Sequence, residues 1–379
     1  MKKKNIVYFL SRNIQRFLTI GKRVTKSVVF QSYGGRNYSD NPKAISEKMH
    51  ELYPEYEIIW VFNDPEKYAN DIPGYVKTVK LGSYEYYKCL AQAFCVVKND
   101  AMEENLYKRK DQFFIQTWHG DRGIKKILYD SLDSKGIESN DYIDGKVTDL
   151  FVIGSDYAEK RIASAFRYYG KVLKCGCPRN DKLVNPVDTE QVLEKLNLEK
   201  GTKVLLYAPT LRKNSQILET NINIMETLEH LEKNGESWKC IVRAHPKSLG
   251  ISVSGNDKII NGSNYPDMTD LLMISDMLIT DYSSCAGDFI IRKKPVILAQ
   301  FDLEQYQKED RTFYVDINEI GFIITHNQQE LNSIIDQWTN EMYAENAEKV
   351  MSYFGTVESG VSAEEVCRSI DNAYFERVR

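Results

Sequence analysis

Short apolar runs alternate with helix-like patterns along the 379 residues of this chain. The apolar runs are continuous rather than alternating, which is typical of parallel strands that are buried on both faces of a sheet. They fall into two blocks, and the predicted strands are 27–33, 57–63, 76–81, 94–99, 113–118 and 149–155, then 203–210, 238–246, 257–262, 277–283, 295–300 and 321–325. Helical spacing of apolar residues predicts helices at 156–169, 188–197, 217–234, 266–275 and 328–341.

This alternation in two blocks predicts an α/β protein with two Rossmann-like, doubly wound domains. The chain is also too long for one ordinary hydrophobic core. A border falls near 180–202, where the run PRNDKLVNPVDTE carries two prolines. The predicted parts are an N-terminal segment 1–25, a first domain 26–186, a second domain 187–355 and a C-terminal segment 356–379, whose helix could pack back on the first domain.

Composition excludes several classes of protein. The net charge is −4, from 50 basic and 54 acidic residues, so the molecule is not built to coat nucleic acid. The seven cysteines stand mostly inside apolar runs, which predicts buried thiols in a reducing cytosol. Cys175 and Cys177 could supply two metal ligands, but no second Cys/His pair has zinc spacing. The chain has neither an Asp-x-Asp pair nor a GxSxG elbow, which argues against a glycosyltransferase that grips its nucleotide through a divalent ion and against an α/β-hydrolase.

Charge is uneven at the N-terminus. The first 39 residues hold nine Lys or Arg residues and no acidic residue. Within them, apolar residues recur near helical spacing, in a run that is too short and too charged to span a bilayer. A basic amphipathic helix can lie on an anionic membrane surface, and the alternative is a helix that caps the first domain with a solvated basic face.

The strand ends carry the candidate chemistry, because ligands of open α/β sheets bind outside the carboxyl ends of the strands. In QTWHG, His119 follows a strand, and histidine is the side chain best suited to move a proton at neutral pH. Gly120 lets the backbone turn or approach a ligand, and Asp121 could orient the imidazole. Lys125 follows and could attract an anionic substrate. The alternative is a core histidine bonded to a backbone carbonyl.

Three strand ends of the second block have similar character. In ITDYSS, Asp281, Ser283 and Ser284 could cap a helix or bind a phosphate at its N-terminus. In RAHP, His245 could donate to phosphate oxygens, with Arg243 nearer to the structure than to the chemistry. Further candidates are Thr210 and Arg212 in YAPTLR and Glu304, with Asp302, in FDLEQY; each could equally be a solvated loop residue.

Six motifs, taken in order, resemble one family. VVFQSYGGRNYSDNPKAISEKM, QTWHGDRGIKK, YAPTLRKN, RAHP, ITDYSSCAGDF and FDLEQYQKEDRTFYVD are similar to the motifs of CDP-glycerol glycerophosphotransferases of teichoic-acid or capsule synthesis, over about 26–325. The resemblance implies a GT-B-like fold with a central cleft, a first domain for the acceptor and a second domain for CDP-glycerol. It implies a bacterial enzyme without a metal or other cofactor, peripheral on the cytoplasmic face of the cell membrane, with a lipid-linked glycan or teichoic-acid primer as acceptor.

The resemblance also implies roles for particular residues. The family's two essential histidines match His119 and His245, the implied catalytic residues. Residues on the acceptor side are Gly120, Asp121 and Lys125, and those that bind CDP-glycerol are Thr210, Arg212, Arg243, Thr280, Asp281, Ser283, Ser284, Asp288 and Glu304. In this hypothesis, His119 takes a proton from the acceptor hydroxyl, which attacks phosphorus, and CMP leaves.

Departures from the family pattern, which include EIGF at 319–322 where Pro-Gly-Pro is common, keep alternatives open. The family usually has His-Gly-Thr-Pro-Leu-Lys after the tryptophan, whereas this chain has HGDRGIK, one residue longer and without proline. The chain also lacks the long N-terminal extension of polymerising members, which favours a priming or side-group transferase. The alternatives are a CDP-ribitol ribitolphosphotransferase, a GT-B glycosyltransferase that uses a nucleotide sugar, and a non-catalytic scaffold. Self-association into a homo-oligomer is a further open alternative.

Overall fold

A computed structural model describes residues 3–102, 105–131, 142–212, 222–244 and 256–378, with side chains from Ile6 onward. The chain forms two compact units. The first contains Met1–Asp121, Leu128–Asp181 and Val357–Arg379, and the second contains Arg122–Ile127 and Lys182–Thr356. The chain therefore passes between the units four times, and residues 122–127 of the predicted first domain belong to the second unit.

The first unit is built on a seven-stranded parallel sheet. Its strands are β1 (Thr25–Gln31), β2 (Glu57–Phe62), β3 (Val76–Lys80), β4 (Ala93–Lys98), β5 (Phe113–Gln116), β6 (Leu150–Ile153) and β7 (Lys171–Lys174). They lie in the order β3-β2-β1-β4-β5-β6-β7. The first six follow the Rossmann order, in which the strand order reverses between β1 and β4.

Both faces of this sheet are covered, because successive residues of a strand point to opposite faces. Val28 and Phe30 of β1 belong to one buried apolar cluster, whereas Val29 between them belongs to the other. The helices of this unit are α1 (Lys3–Leu18), α2 (Asp40–Leu52), α3 (Tyr84–Gln92), α4 (Asp144–Val147), α5 (Asp156–Phe166) and α15 (Ser362–Val378), and α6 (Asp181–Val184) lies at its border with the second unit.

The C-terminal helix α15 is part of the core of the first unit. It packs against α2, and Cys367 and Ile370 are fully buried in the same apolar cluster as Val28. The Tyr56 hydroxyl donates to Asp371 Oδ1 over 2.9 Å. The last helix thus completes a layer of helices over a sheet whose strands come from the first half of the chain.

The second unit repeats the plan with a six-stranded parallel sheet. Its strands are β8 (Lys203–Ala208), β9 (Trp238–Val242), β10 (Ile259–Asn261), β11 (Met277–Thr280), β12 (Val296–Ala299) and β13 (Ile323–Thr325), in the order β10-β9-β8-β11-β12-β13. The strand order reverses between β8 and β11. Its helices are α7 (Glu190–Lys195), α8 (Ile224–Leu231), α9 (Met268–Ile274), α10 (Cys285–Phe289), α11 (Leu303–Glu309), α12 (Ile317–Ile320), α13 (Gln328–Gln337) and α14 (Asn340–Phe354).

Helix α1 packs on the first unit with its polar side. Ser11 and Gln15, one turn apart, are 3% and 1% exposed, and both side chains donate to the Asn105 carbonyl. The apolar side faces outward, and its exposed residues are Ile6, Val7, Phe9, Leu10, Ile14 and Phe17. In the described part of the chain, no helix has the length and apolar character to cross a bilayer.

Candidate active site

His119 lies at the carboxyl edge of the first sheet, three residues after the end of β5. Its Nδ1 is 2.6 Å from the carbonyl oxygen of Asn99, which follows β4. Because a carbonyl can only accept, Nδ1 carries the hydrogen of this bond. Burial lowers the pKa of His119, and a backbone bond to Asn99 raises it less. The neutral ring therefore has its lone pair on Nε2, which is the arrangement of a general base.

Two aromatic rings hold the imidazole in place. The Trp118 ring stacks on it at 4.2 Å between centroids, and the Tyr33 ring is tilted against it at 5.2 Å. The backbone N–H of Tyr33 donates to Asn99 Oδ1 over 2.8 Å. Asn99 thus joins the two sides of the site, because its side chain holds the loop after β1 and its carbonyl orients His119.

A buried ion pair between Asp40, the first residue of α2, and Arg179 lies next to Tyr33. Asp40 accepts from the Tyr33 hydroxyl over 2.5 Å and from Arg179 over 3.3 Å. The Asn41 side chain donates to the Trp118 carbonyl over 3.0 Å. The Asp40 charge raises the pKa of His119 and the Arg179 charge lowers it, both less than burial does. The two charges of the pair thus shift the pKa of the imidazole in opposite directions.

Three non-glycine residues of this site have a left-handed backbone: Tyr33 at φ 48°, Asp40 at φ 65° and Trp118 at φ 49°. Such conformations cost free energy in side-chain-bearing residues and cluster at functional sites. They bring the loops after β1 and β5 and the start of α2 together around His119.

In the second unit, Asp281 lies where the strand order reverses. It follows β11, and its carboxylate accepts from the backbone N–H of Thr210 over 3.0 Å and from the Thr210 hydroxyl over 2.6 Å. The backbone N–H of Tyr282 is 2.5 Å from the same carboxylate. Asp281 is thus the residue that ties the loop after β8 to the loop after β11.

Arg212 is held by two carboxylates. Its guanidinium is 2.9 Å from Asp281 and binds Asp302 through two bonds of 2.7 and 3.0 Å. Asp302 also accepts from the Tyr282 hydroxyl over 2.9 Å. The sequence hypothesis had Arg212 contact a phosphate, but its charge is already paired here with two buried carboxylates. Arg212 therefore shapes the loop after β8.

Lys125 approaches this cluster from the inserted segment 122–127. It forms a β-bridge with Phe313, and the Lys126 N–H donates to the Thr312 carbonyl over 2.9 Å. Burial lowers the pKa of Lys125, Asp281 raises it, and the positive charges of Arg311 and Arg212 lower it. Lys125 thus lies in the second unit, whereas the sequence hypothesis grouped it with the acceptor-side residues of the first domain.

Comparison with known proteins identifies the family. The model of the CDP-glycerol:poly(glycerophosphate) glycerophosphotransferase family matches residues 14–372. The chain belongs to this family. The family predicted from the sequence is thereby confirmed, with its enzyme class, glycerophosphotransferase, and the GT-B-like α/β fold class.

The chain is similar to several curated teichoic-acid enzymes. It is 31% identical to the teichoic acid glycerol-phosphate transferase of Staphylococcus aureus, over 93% of this chain and 95% of that protein. It is 34% identical to the teichoic acid poly(glycerol phosphate) polymerase of Staphylococcus epidermidis, over 78% of this chain but only 43% of the polymerase. A histidine-to-alanine variant of the wall teichoic acid polymerase TagF superposes with a TM-score of 0.84 at 30% identity, covering 99% of this chain and 97% of that one.

In the second unit, the turn after β11 differs from its prediction. Thr280 is fully buried, and its hydroxyl donates to the Ala208 carbonyl over 2.7 Å, so it joins two strands. Ser283 and Ser284 are half-buried, and the Cys285 N–H is 3.5 Å from the Ser283 hydroxyl. Helix α10 has only five residues, so its dipole is a weak attraction for a phosphate. The Ser283 and Ser284 side chains are the partly exposed ones of this turn.

The remaining predicted residues have other surroundings. Arg243 donates to the carbonyls of Gly262 and Ser263 over 2.8 and 2.6 Å, which fixes the turn after β10. Asp288 forms an ion pair of 3.0 Å with Arg122. Glu304 is exposed on α11. His245 lies in 245–255, outside the described residues.

On the first unit, Asp121 does not hold Nδ1 of His119, because that atom faces the Asn99 carbonyl. Asp121 Oδ1 instead accepts from the Gly154 N–H over 2.8 Å. The positive φ beside His119 belongs to Trp118 rather than to Gly120.

Sequence reasoning missed several residues of the two sites, namely Tyr33, Asp40, Asn99 and Arg122. Tyr33 follows β1 and Asn99 follows β4, the two strands between which the order reverses. Their position after apolar runs was a usable signal once the strands had been assigned. Arg122 gave no such signal, since it stands in a polar segment between glycines. In the described part of the chain, no three His, Cys, Asp or Glu side chains are grouped so as to hold a metal ion.

Proposed function

We propose that this chain transfers glycerol phosphate from CDP-glycerol to a hydroxyl of a lipid-linked glycan or glycerophosphate acceptor in teichoic-acid or capsule synthesis. The acceptor oxygen forms a bond to the glycerol-linked phosphorus, the bond from that phosphorus to the CMP oxygen breaks, and CMP leaves. The acceptor proton passes to Nε2 of His119. The observation that carries this proposal is the bond of His119 Nδ1 to the Asn99 carbonyl, since it leaves Nε2 unprotonated in the neutral ring.

The second unit supplies the groups for the donor in this proposal. Lys125 and Arg311 provide positive charge near Asp281, and the Ser283 and Ser284 hydroxyls can donate to phosphate oxygens. The Thr210 hydroxyl donates to Asp281, which fixes the loop after β8 beside the loop after β11. Preorganised donors of this kind stabilise the charge that develops on the leaving phosphate, and losing one typically lowers turnover by about 10²–10³-fold.

The test is a donor panel with the wild-type chain and a His119→Ala variant. Protein and bacterial membranes are incubated with CDP-glycerol, CDP-ribitol or nucleotide sugars, and mass spectrometry identifies the nucleotide released. We expect CMP from CDP-glycerol and a loss of about 10²–10⁴-fold in the variant, as for the removal of a general base. Binding of CDP-glycerol, measured by calorimetry, should persist in the variant.

Each other outcome changes the proposal in a defined way. CMP from CDP-ribitol alone would keep the mechanism and change the substrate. A nucleoside diphosphate from a nucleotide sugar would mean attack at carbon, and the proposed phosphoryl transfer would be wrong. An equal loss of CDP-glycerol binding in His119→Ala would contradict the role of His119 as a base for the acceptor.

We further propose that α1 binds the anionic cytoplasmic face of the cell membrane, where a lipid-linked acceptor resides. Its apolar side chains point outward, with Phe17 72% exposed, while polar Ser11 and Gln15 face the protein. A helix that covers a hydrophobic core has the opposite arrangement, with its apolar side against the protein and its polar side toward solvent. The first 39 residues contain nine basic residues and no acidic residue, so their positive charge complements anionic lipid. A second copy of this chain on the same face is the alternative that a measurement of mass in solution decides.

A further inference from the structure

Gln116 is the last residue of β5, and its side chain is fully buried. Nε2 of its amide donates to the Asp100 carbonyl over 2.9 Å and to Asp144 Oδ1 over 2.6 Å. Its Oε1 accepts from the backbone N–H of Trp118 over 2.8 Å. An amide has two donor hydrogens on nitrogen and acceptor capacity on oxygen, so two oxygens on one side and an N–H on the other fix its orientation.

These bonds reach both sides of the contact between His119 and Asn99. Trp118 precedes His119 in the chain and stacks on its ring at 4.2 Å between centroids. Asp100 follows Asn99, whose carbonyl is 2.6 Å from Nδ1 of the imidazole. All of these residues belong to the first unit. One side chain of that unit therefore holds both the backbone beside the imidazole and the backbone beside its hydrogen-bond acceptor.

The backbone of Trp118 depends on such support. Its φ of 49° is left-handed, a conformation that costs free energy in a residue with a side chain and persists where the surroundings hold it. Gln116 holds the N–H of Trp118, and the Asn41 side chain donates to its carbonyl over 3.0 Å. Without the bond from Gln116, the backbone can relax and carry the imidazole of His119 away from the Asn99 carbonyl.

Asp144 holds the amide of Gln116 in turn. It is the first residue of α4 and is fully buried. One carboxylate oxygen accepts from Gln116, and the other accepts from the backbone N–H of Met102 over 3.0 Å. The carboxylate is thus fixed by the start of α4 and by Met102, and it selects which side of the amide carries the nitrogen.

We propose that Gln116 is a positioning residue for the transfer reaction and that Asp144 orients it. By holding the Trp118 N–H and the Asp100 carbonyl, Gln116 keeps the Nδ1 hydrogen of His119 on the Asn99 carbonyl. The lone pair therefore stays on Nε2, the atom that takes the acceptor proton. This inference rests on the proposed function, in which His119 is the base.

The alternative is that Gln116 only satisfies buried backbone groups. Gln112 offers a matched control, because it is also fully buried and precedes the other end of β5. Its Nε2 donates to the carbonyls of Leu90 and Ala93 over 2.7 Å each, and its Oε1 accepts from the Arg109 N–H over 3.0 Å. The two glutamines thus make the same number of bonds, but Gln112 lies at the edge of the sheet opposite to His119.

The first experiment compares Gln116→Met with Gln112→Met. Methionine has a similar length and makes none of the three bonds. The melting temperature, kcat and the Kd for CDP-glycerol are measured for each, and both variants should lose stability. Gln116→Met should lower kcat by about 10–100-fold, the scale of an ångström-sized misplacement, with Kd unchanged. Gln112→Met should keep kcat.

Nitrogen NMR of protein with isotope-labelled histidine adds a readout that needs no substrate. The chain has five histidines, and His119→Ala identifies the signals of His119. At a pH at which the ring is neutral, Nδ1 should carry the hydrogen in the wild-type chain and in Gln112→Met. In Gln116→Met, the tautomer with its hydrogen on Nε2 should become populated.

Gln116→Glu keeps the shape of the side chain and decides the matter if Gln116→Met does not fold. While the new carboxyl holds a proton, it can donate to Asp144 and accept from the Trp118 N–H; once it ionises, two carboxylates repel each other. Lys98, whose charge lowers the pKa of Asp144, is paired with Asp100 over 3.5 Å and is unchanged in the variant. The ratio of kcat per folded protein, variant to wild type, should therefore fall as the pH rises, whereas the ratio for Gln112→Glu should stay constant.

The outcomes separate the proposal from the function on which it rests. An unchanged tautomer of His119 in Gln116→Met, an equal fall of kcat in Gln112→Met, or a ratio for Gln116→Glu that does not vary with pH would overturn the proposal. A changed tautomer with unchanged kcat would show that the reaction does not use this ring, so the proposed role of His119 would fail. If the wild-type chain turns over none of the donors, the proposed function fails, and the tautomer comparison still decides whether Gln116 positions His119.

Discussion

Replacing Phe17 by serine tests whether α1 binds the membrane. Phe17 is 72% exposed on the apolar side of the helix, so the substitution removes apolar area without disturbing a core. An aromatic side chain offers about 200 Å² of surface, of which 72% is about 140 Å². At roughly 25 cal/mol per Å², full burial of that area in lipid contributes about 3.6 kcal/mol.

This free energy corresponds to a loss of up to about 400-fold in the membrane partition coefficient of Phe17→Ser, and to about 20-fold if half of the area is buried. The assay is sedimentation with vesicles of phosphatidylcholine alone or mixed with phosphatidylglycerol. Binding should require the anionic lipid and weaken with salt, since each nearby Lys or Arg contributes about 1 kcal/mol. Tyr169→Ser is the control, because Tyr169 is an aromatic residue of the same unit, 83% exposed and distant in sequence from α1.

The reasoning is refuted if Phe17→Ser binds the mixed vesicles as tightly as the wild-type chain, or if Tyr169→Ser loses as much affinity. Light scattering coupled to gel filtration adds a second readout. A dimer that dissociates in Phe17→Ser, together with no vesicle binding by the wild-type chain, would mean that α1 covers a second copy of the protein instead.

Three further predictions follow from the buried charges. Burial lowers the pKa of His119, so the acidic limb of the pH profile of kcat/KM should lie below the ordinary value of 6.5. Asp40→Asn should move this limb to lower pH, because the Asp40 charge raises the pKa of His119. A limb that moves to higher pH in the variant would contradict the prediction. Asp302→Ala should lower the unfolding free energy, measured by urea denaturation, by about 1–3 kcal/mol, because it removes two bonds of Arg212 and the acceptor of the Tyr282 hydroxyl while Asp281 still pairs with the guanidinium. A stable variant that binds CDP-glycerol more tightly would instead show that Arg212 serves the donor. Burial raises the pKa of Asp144 from 3.8 to about 7, so the folded chain binds this proton more tightly than the unfolded chain. The free energy of unfolding should therefore fall by about 1 kcal/mol as the pH rises from 6 to 8, and this difference should vanish in Asp144→Asn.

Much of the fold could be predicted from the chain because its signals are local. Continuous apolar runs such as FCVVK and VLLYA lie in parallel strands buried on both faces, as expected of the centre of a parallel sheet. The motif order identified the family, and the residues after the strands, such as His119 and Asp281, lie at the carboxyl edges of their sheets. Position relative to a strand end is a property that a short stretch of sequence carries by itself.

The partners of these residues could not be predicted in this way, because they depend on which strands become neighbours. The Asn99 carbonyl fixes which ring nitrogen of His119 is protonated, and it can do so only because β4 lies next to β5 in the sheet. Asp302 binds Arg212 across 90 residues of sequence, and no sequence pattern indicated that Asp281 and Asp302 would pair with this guanidinium.

The sequence by itself determined the family and twelve of the thirteen described strands, since continuous apolar runs and motif order are properties of the chain itself. It did not predict β7 (Lys171–Lys174), whose residues are exposed or only partly buried. Only the tertiary structure decided that Arg122 leaves the unit of His119, that Lys125 joins the unit of Asp281, and that α1 turns its apolar side outward. Each of these features depends on long-range contacts, because the free energy of burying a charge or an apolar face is set by partners that are distant in sequence.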